Sequence, residues 1–184
     1  MMTMRIQSNQ RSRFTQSGFT LIEILIVMVI IGILATLGAG SFQSSQIKGR
    51  DARRKSDLKQ IVNSLEVYYN DRKTYPLGSD GLIAGCAGLT PCSWGEQFSD
   101  ENDTIYMVVL PSDPKSSLSY HYESDGTSYQ LYARLENNLD MAVPKDAQDA
   151  SQVFSGLACG SLECNYGVAS SNTTPEAGRT LVTE

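Results

Sequence analysis

Residues 18–40 are apolar at almost every position, and a single acid, Glu23, interrupts them. Residues 19–37 make 19 positions, which as an α-helix rise about 28 Å at ~1.5 Å each, close to the ~30 Å hydrocarbon core of a bilayer. The segment is therefore read as long enough to span a membrane. A carboxylate inside such a span costs roughly 2.5–3.5 kcal/mol on insertion scales. Glu23 thus calls for a cation that its own helix does not supply, or for a place near the membrane surface.

The flanks narrow the choice. Residues 1–18 hold Arg5, Arg11 and Arg13 and no acid, and end in Gly18 directly before the apolar run, the make-up of a processed export leader. Cutting after Gly18 creates a new amino terminus at Phe19, four residues before Glu23. With Gly18-Phe19-Thr20-Leu21-Ile22-Glu23 at the junction, residues 11–40 resemble the class III signal of the type IV pilin family, which includes the pseudopilins of type II secretion. The likeness continues more weakly to Pro76. This resemblance implies that a prepilin peptidase cleaves after Gly18 and N-methylates Phe19, and that apolar helices pack into a filament in which Glu23 pairs with a neighbour's Phe19 amine. The physics agrees: a buried charge left unpaired is penalised by several kcal/mol, so the register that joins ammonium to carboxylate beats slipped ones.

Two other readings compete. Thr20 and Glu23 form an S/T-x-x-E capping box, and an acid in the first turn suits the helix dipole. An ordinary secretory signal would be cut near Gly38-Ala39-Gly40, but such signals rarely carry a charge in the apolar core. Topology is contested as well: three arginines precede the span, whereas Lys48, Arg50, Arg53, Arg54 and Lys55 follow it, which by the positive-inside rule would leave the head in the cytoplasm. The leader's closeness to the span, four cysteines in the head and the cleavage pattern argue instead for export.

Beyond the span the chain is long enough for one compact domain. Its charge is divided: residues 48–73 hold eight basic and four acidic side chains (+4), and residues 74–184 hold four basic and fifteen acidic ones (−11). A basic neck carries an acidic head. Leu58, Ile61, Val62, Leu65 and Tyr68 or Tyr69 form one face of an amphipathic helix that should hold the head's sheet. Residues 41–57 have no such face, and a helix polar all round needs neighbours or ion pairs to persist. We expect this stalk to pair with acidic surfaces of adjacent subunits, with nucleic acid or anionic lipid as weaker alternatives. Gly38 and Gly40 mark a place to bend or melt, and Tyr75-Pro76 ends the helix.

A loop is expected to residue 104, then strands at 105–110, 118–123 and 128–135, the last two joined by the turn Ser124-Asp125-Gly126-Thr127. Residues 141–143 are a candidate fourth strand before Pro144, and the tail 145–184 is expected to be irregular. The fold class is thus α+β: a long N-terminal helix packed on a small antiparallel sheet, divided as leader 1–18, assembly helix 19–40 and stalk with exported head 41–184. Cys86, Cys92, Cys159 and Cys164 allow three disulfide connectivities, of which we expect local pairing, Cys86 with Cys92 and Cys159 with Cys164. A four-thiolate zinc site is the competing reading. Asp100, Glu101 and Asp103 are weak calcium candidates without EF-hand spacing, and a solvated acidic loop is the simpler account. His121, the one histidine, reads as a strand-face residue rather than a base or ligand.

The sequence therefore points to a non-enzymatic filament subunit without cofactor, in a homo-oligomeric or mixed filament. Its partners would be the prepilin peptidase, the membrane before assembly, and a pilus machinery serving motility, adhesion or DNA uptake. A type II secretion pseudopilin is the first alternative and a single-pass anchored binding module the second. The head would lie outside the cytoplasm, first on the membrane and then in a surface or periplasmic filament.

Overall fold

The computed structural model describes residues 18–86 and 90–184, apart from the side chains of residues 36–41. Most of the expected leader, residues 1–17, lies outside the described residues. One helix, α1 (Leu21–Arg72), runs through Gly38 and Gly40 without interruption. The chain forms two compact units, one ending at Phe42 and one from Gln43 to Glu184.

In the second unit, α1 ends where Lys73 takes a left-handed conformation (φ 61°), with its N–H donating to the Tyr69 carbonyl at 2.8 Å. Such a residue stops a helix by turning the chain out of the α ladder. Pro76 follows three residues later, so the stop lies slightly ahead of the dipeptide expected to cause it. Leu58, Ile61 and Leu65 are fully buried, with Val62 and Tyr68 partly covered beside them. The predicted apolar face is the one that carries the head.

The strands are short. In chain order they are β1 (Gly78–Ser79), β2 (Leu82–Cys86), β3 (Thr90–Cys92), β4 (Phe98–Ser99), β5 (Ile105–Met107), β6 (His121–Ser124), β7 (Tyr129–Ala133), β8 (Gln152–Phe154), β9 (Ala158–Cys159), β10 (Leu162–Glu163), β11 (Tyr166–Ala169) and β12 (Leu181–Thr183). The principal sheet has the antiparallel order β11-β7-β6, with β1-β2-β3 as a second sheet and β4-β5, β9-β10 and β8-β12 as pairs. The β6–β7 hairpin turns on Asp125-Gly126-Thr127-Ser128: Gly126 has φ 88°, and Asp125 Oδ1 accepts the Thr127 and Ser128 N–H groups at 2.8 Å each. Its inner face, Tyr122, Tyr129 and Leu131, packs on Leu58, Ile61 and Leu65 of α1.

Four expectations are corrected. The region before residue 104 is not one loop, because Gly81 (φ 79°) turns the chain back and lets β1 pair with β2. Residues 105–110 give only a three-residue strand, and it pairs with β4 rather than joining the principal sheet. Residues 141–143 are a turn, held by the Ala142 N–H donating to Asp140 Oδ1 at 2.9 Å. The tail is not irregular: it holds five strands, and β11 forms an edge of the principal sheet through Tyr166↔Ala133 to Ala169↔Gln130.

The polar neck explains how a helix without an apolar face persists. Arg54 is fully buried, and its guanidinium donates to Asp113 through Nε (2.7 Å) and Nη2 (2.8 Å), and through Nη1 to Asp51 and Glu136 (2.8 Å each). Arg50 donates twice to Glu136 at 2.7 Å. Asp51 accepts the backbone N–H groups of Glu136 (2.9 Å) and Asn137 (2.8 Å), and Lys55 reaches Asp140 at 2.6 Å. The expectation that these bases serve neighbouring subunits is thereby corrected: Arg50, Arg54 and Lys55 are taken up by acids of their own head. Bidentate guanidinium–carboxylate geometry in a dry site makes these bonds strong and directional.

Removing one partner from such a cluster leaves buried charge uncompensated, at a cost of about 3–5 kcal/mol. We expect Arg54→Ala to lower stability by that order in urea unfolding of the detergent-solubilised protein, and Arg54→Lys to lose less. Hydrogen bonds from Arg50, and then Arg54, hold the Glu136 carboxyl at about 2, below its ordinary 4.5. A depressed acid stabilises the fold fully above its unfolded value and loses that contribution as pH falls through the folded one. The melting temperature should therefore drop between about pH 5 and pH 2, and Glu136→Gln should flatten that part of the profile.

Candidate assembly site

The first unit begins with Thr20 as the N-cap of α1. Its Oγ1 accepts the Glu23 N–H at 3.3 Å, and its carbonyl accepts the Ile24 N–H at 3.3 Å. A cap hydroxyl satisfying a first-turn N–H is the standard reason for Ser or Thr at this place. The cap and the acid are thus compatible: the Glu23 backbone is used by the cap, while its carboxylate has no partner among the described residues. Phe19, at the position that cleavage would make the terminus, precedes this cap by one residue and is exposed.

From Leu21 to Leu34 the large apolar side chains are exposed all round the helix. Scattered exposed apolar residues are ordinary, but a contiguous apolar helix surface marks a binding or membrane face. Thr36 and Leu37, the end of the expected span, fall among the undescribed side chains, and among the described residues no helix is long and apolar enough to cross a membrane. The site thus consists of an apolar cylinder whose capped end carries a carboxylate without a partner among the described residues.

The other candidate residues lie in the head and do not join this site. Cys86 bonds Cys92 and Cys159 bonds Cys164, so no thiolates remain for zinc. The second bridge closes the β9–β10 hairpin over Gly160, whose φ is 81° and where a Cβ would lie 2.5 Å from the Ser117 carbonyl oxygen. Asp100, Glu101 and Asp103 do not converge: Arg72 pairs with Asp100 and, at 3.2 Å, with Glu101, while Asp100 Oδ1 accepts the Asn102 and Thr104 N–H groups at 2.9 Å each. Burial raises the Asp100 pKa, but the Arg72 bond and these N–H groups outweigh it and hold the acid well below the usual range. No group of three His, Cys, Asp or Glu is disposed to hold a metal among the described residues.

His121 stands on β6 with Nδ1 3.2 Å from the Ala158 carbonyl oxygen and Nε2 3.2 Å from Glu123, and burial lowers its pKa. Glu123 is shared with Arg179, which lies over the Tyr132 ring. This is a packed strand-face histidine. Sequence reasoning missed the Arg54 cluster, although the opposed charges of neck and head were the signal that could have found it.

A model of the prokaryotic N-terminal methylation motif matches residues 13–39. The chain is 36% identical over 127 residues to the type II secretion system core protein G of Pseudomonas aeruginosa, covering 66% of this chain and 84% of that protein. Core protein G of Escherichia coli is 33% identical over 104 residues, which cover 56% of this chain and 70% of that protein. Core protein G of Klebsiella michiganensis is 38% identical over 119 residues, which cover 65% and 81%. No solved structure matches the chain. With a methylation motif at its start and such relatives aligned over most of their length, this chain belongs to the type IV pilin and pseudopilin family, in the group of the type II secretion system core protein G.

Proposed function

We propose that the protein is a pseudopilin, a structural and non-enzymatic subunit of a type II secretion filament. It is held in the membrane by its N-terminal helix with the head outside the cytoplasm, cut after Gly18, methylated at Phe19 and assembled through residues 19–40. The relatives favour this reading over a surface pilus for motility, adhesion or DNA uptake. The observation that carries the mechanism is the Glu23 carboxylate, without a partner among the described residues, at the capped end of an exposed apolar helix.

Processing supplies what that carboxylate lacks. While the leader is attached, the Phe19 nitrogen is a neutral amide; cleavage turns it into an amine, and methylation leaves it a cation near neutral pH. Each subunit then carries one cation and one anion four residues apart at the same helix end. In apolar surroundings an unpaired charge is expensive and a well-placed pair is not. A newly added helix is therefore driven to the axial stagger that sets one subunit's Phe19 amine against the next subunit's Glu23.

Intact mass of protein from the native membrane should correspond to a chain beginning at Phe19 with one added methyl. A start at Met1 or near Ser41 would remove the assembly amine and sink this mechanism. Glu23→Ala should be processed normally yet lose assembly by tenfold or more, whereas an anchored binding module would keep its function. Deleting the gene should trap a normally exported protein inside the cell envelope; loss of surface fibres with export intact would restore the pilus reading.

A further inference from the structure

Two ordered loops of the head present large apolar side chains to solvent. Leu139 and Met141 are 84% and 100% exposed. Their loop is nevertheless tied to α1 on both sides, by the Glu136 and Asn137 N–H groups on Asp51 and by the Lys55–Asp140 pair at 2.6 Å. Val108 and Val109 are 73% and 59% exposed and directly follow β5, whose Ile105 is also exposed. β5 is in turn anchored by Tyr106, whose ring centroid is 4.9 Å from that of Tyr68 on α1.

The two anchors place the loops. Lys55 and Tyr68 are thirteen positions apart on α1, about 140° around its axis at 3.6 residues per turn and ~20 Å along it. The leucine–methionine tip and the valine patch therefore flank opposite sides of the helix, and β5 sits nearer its C-terminal end. Three charges without an ion-pair partner among the described residues lie on these flanks. Lys59, one turn beyond Lys55, is exposed on the first flank; Glu96 and Asp103 are exposed beside the second, with the Glu96 carbonyl accepting the Leu110 N–H.

We propose that these patches are the two halves of a heterologous contact between copies of this chain, the Leu139–Met141 tip of one head seating on Ile105, Val108 and Val109 of the next. Different patches on opposite flanks, displaced along the axis, generate an open screw assembly rather than a closed dimer. Five exposed side chains fall well short of the ~1,200 Å² of a stable free-standing interface. The contact thus operates only between heads that the N-terminal helices already hold side by side, and in this it rests on the filament reading above. The charges assist: Lys59 on the first flank of one head approaches Glu96 and Asp103 of its neighbour.

The test is disulfide trapping in full-length protein assembled in its own cells, with Val108→Cys and Met141→Cys placed in one chain and intact cells oxidised with copper phenanthroline before the envelope is solubilised. We expect a ladder of dimers, trimers and higher oligomers on a non-reducing gel, monomers from either single variant alone, and dimers only when the two single variants are co-expressed. Filaments that stay monomeric after oxidation overturn the contact, as do dimers from one single variant, which would make the contact isologous, and bands that contain another protein. Should the double variant form no filament, the co-expressed single variants decide in the same way. Failure of the unmodified protein to give any oligomers on in-cell amine cross-linking would instead sink the filament reading, and this contact with it.

Discussion

The buried guanidinium of Arg54 joins the two parts of the head that sequence alone leaves unconnected. A helix segment with charges on every side has no apolar reason to pack, yet Asp51, Asp113 and Glu136 close around Arg54 and bind that segment to two separate loops. Arg50, Arg54 and Lys115 stand against Asp51, Asp113 and Glu136, so the cluster is neutral as a whole. Its members satisfy one another and three backbone N–H groups besides, the condition under which buried charge is tolerated. One turn further along α1, Leu58, Ile61 and Leu65 take over with ordinary apolar packing.

This arrangement separates two tasks on one helix. The neck uses its charges internally, which leaves the exposed apolar surface and Glu23 at the other end free for other molecules. Arg50, Arg54 and Lys55 are engaged at their own head, so the neck is a poorer site for nucleic acid than its net charge of +4 suggests. The same ties stiffen the 136–142 loop and hold Leu139 and Met141 outward. A rigid apolar tip loses little conformational freedom when it docks.

Much was legible in the residues. The apolar run with one acid and the 3.6-residue spacing of Leu58, Ile61 and Leu65 depend on local pattern, and each was readable for that reason. The Asp125-Gly126 turn was readable too, because its φ above zero selects glycine. The strands of the tail were not: β8 to β12 have two to four residues each, too few for a period-2 pattern to stand out, and they form because distant segments offer them edges. Residues 141–143 look like a strand in composition, but Asp140 captures the Ala142 N–H and turns the chain.

By itself, then, the sequence determined the family, the long helix and its apolar end, and the order of neck and acidic head, since those follow from neighbouring residues along the chain. Only the tertiary structure decided where the neck's charges go. Arg54 and its partners Asp113 and Glu136 are separated by 59 and 82 residues. A net charge specifies that a partner is needed but not whether it stands in the same subunit or the next, and that choice is made by which surfaces the folded backbone brings within hydrogen-bonding distance.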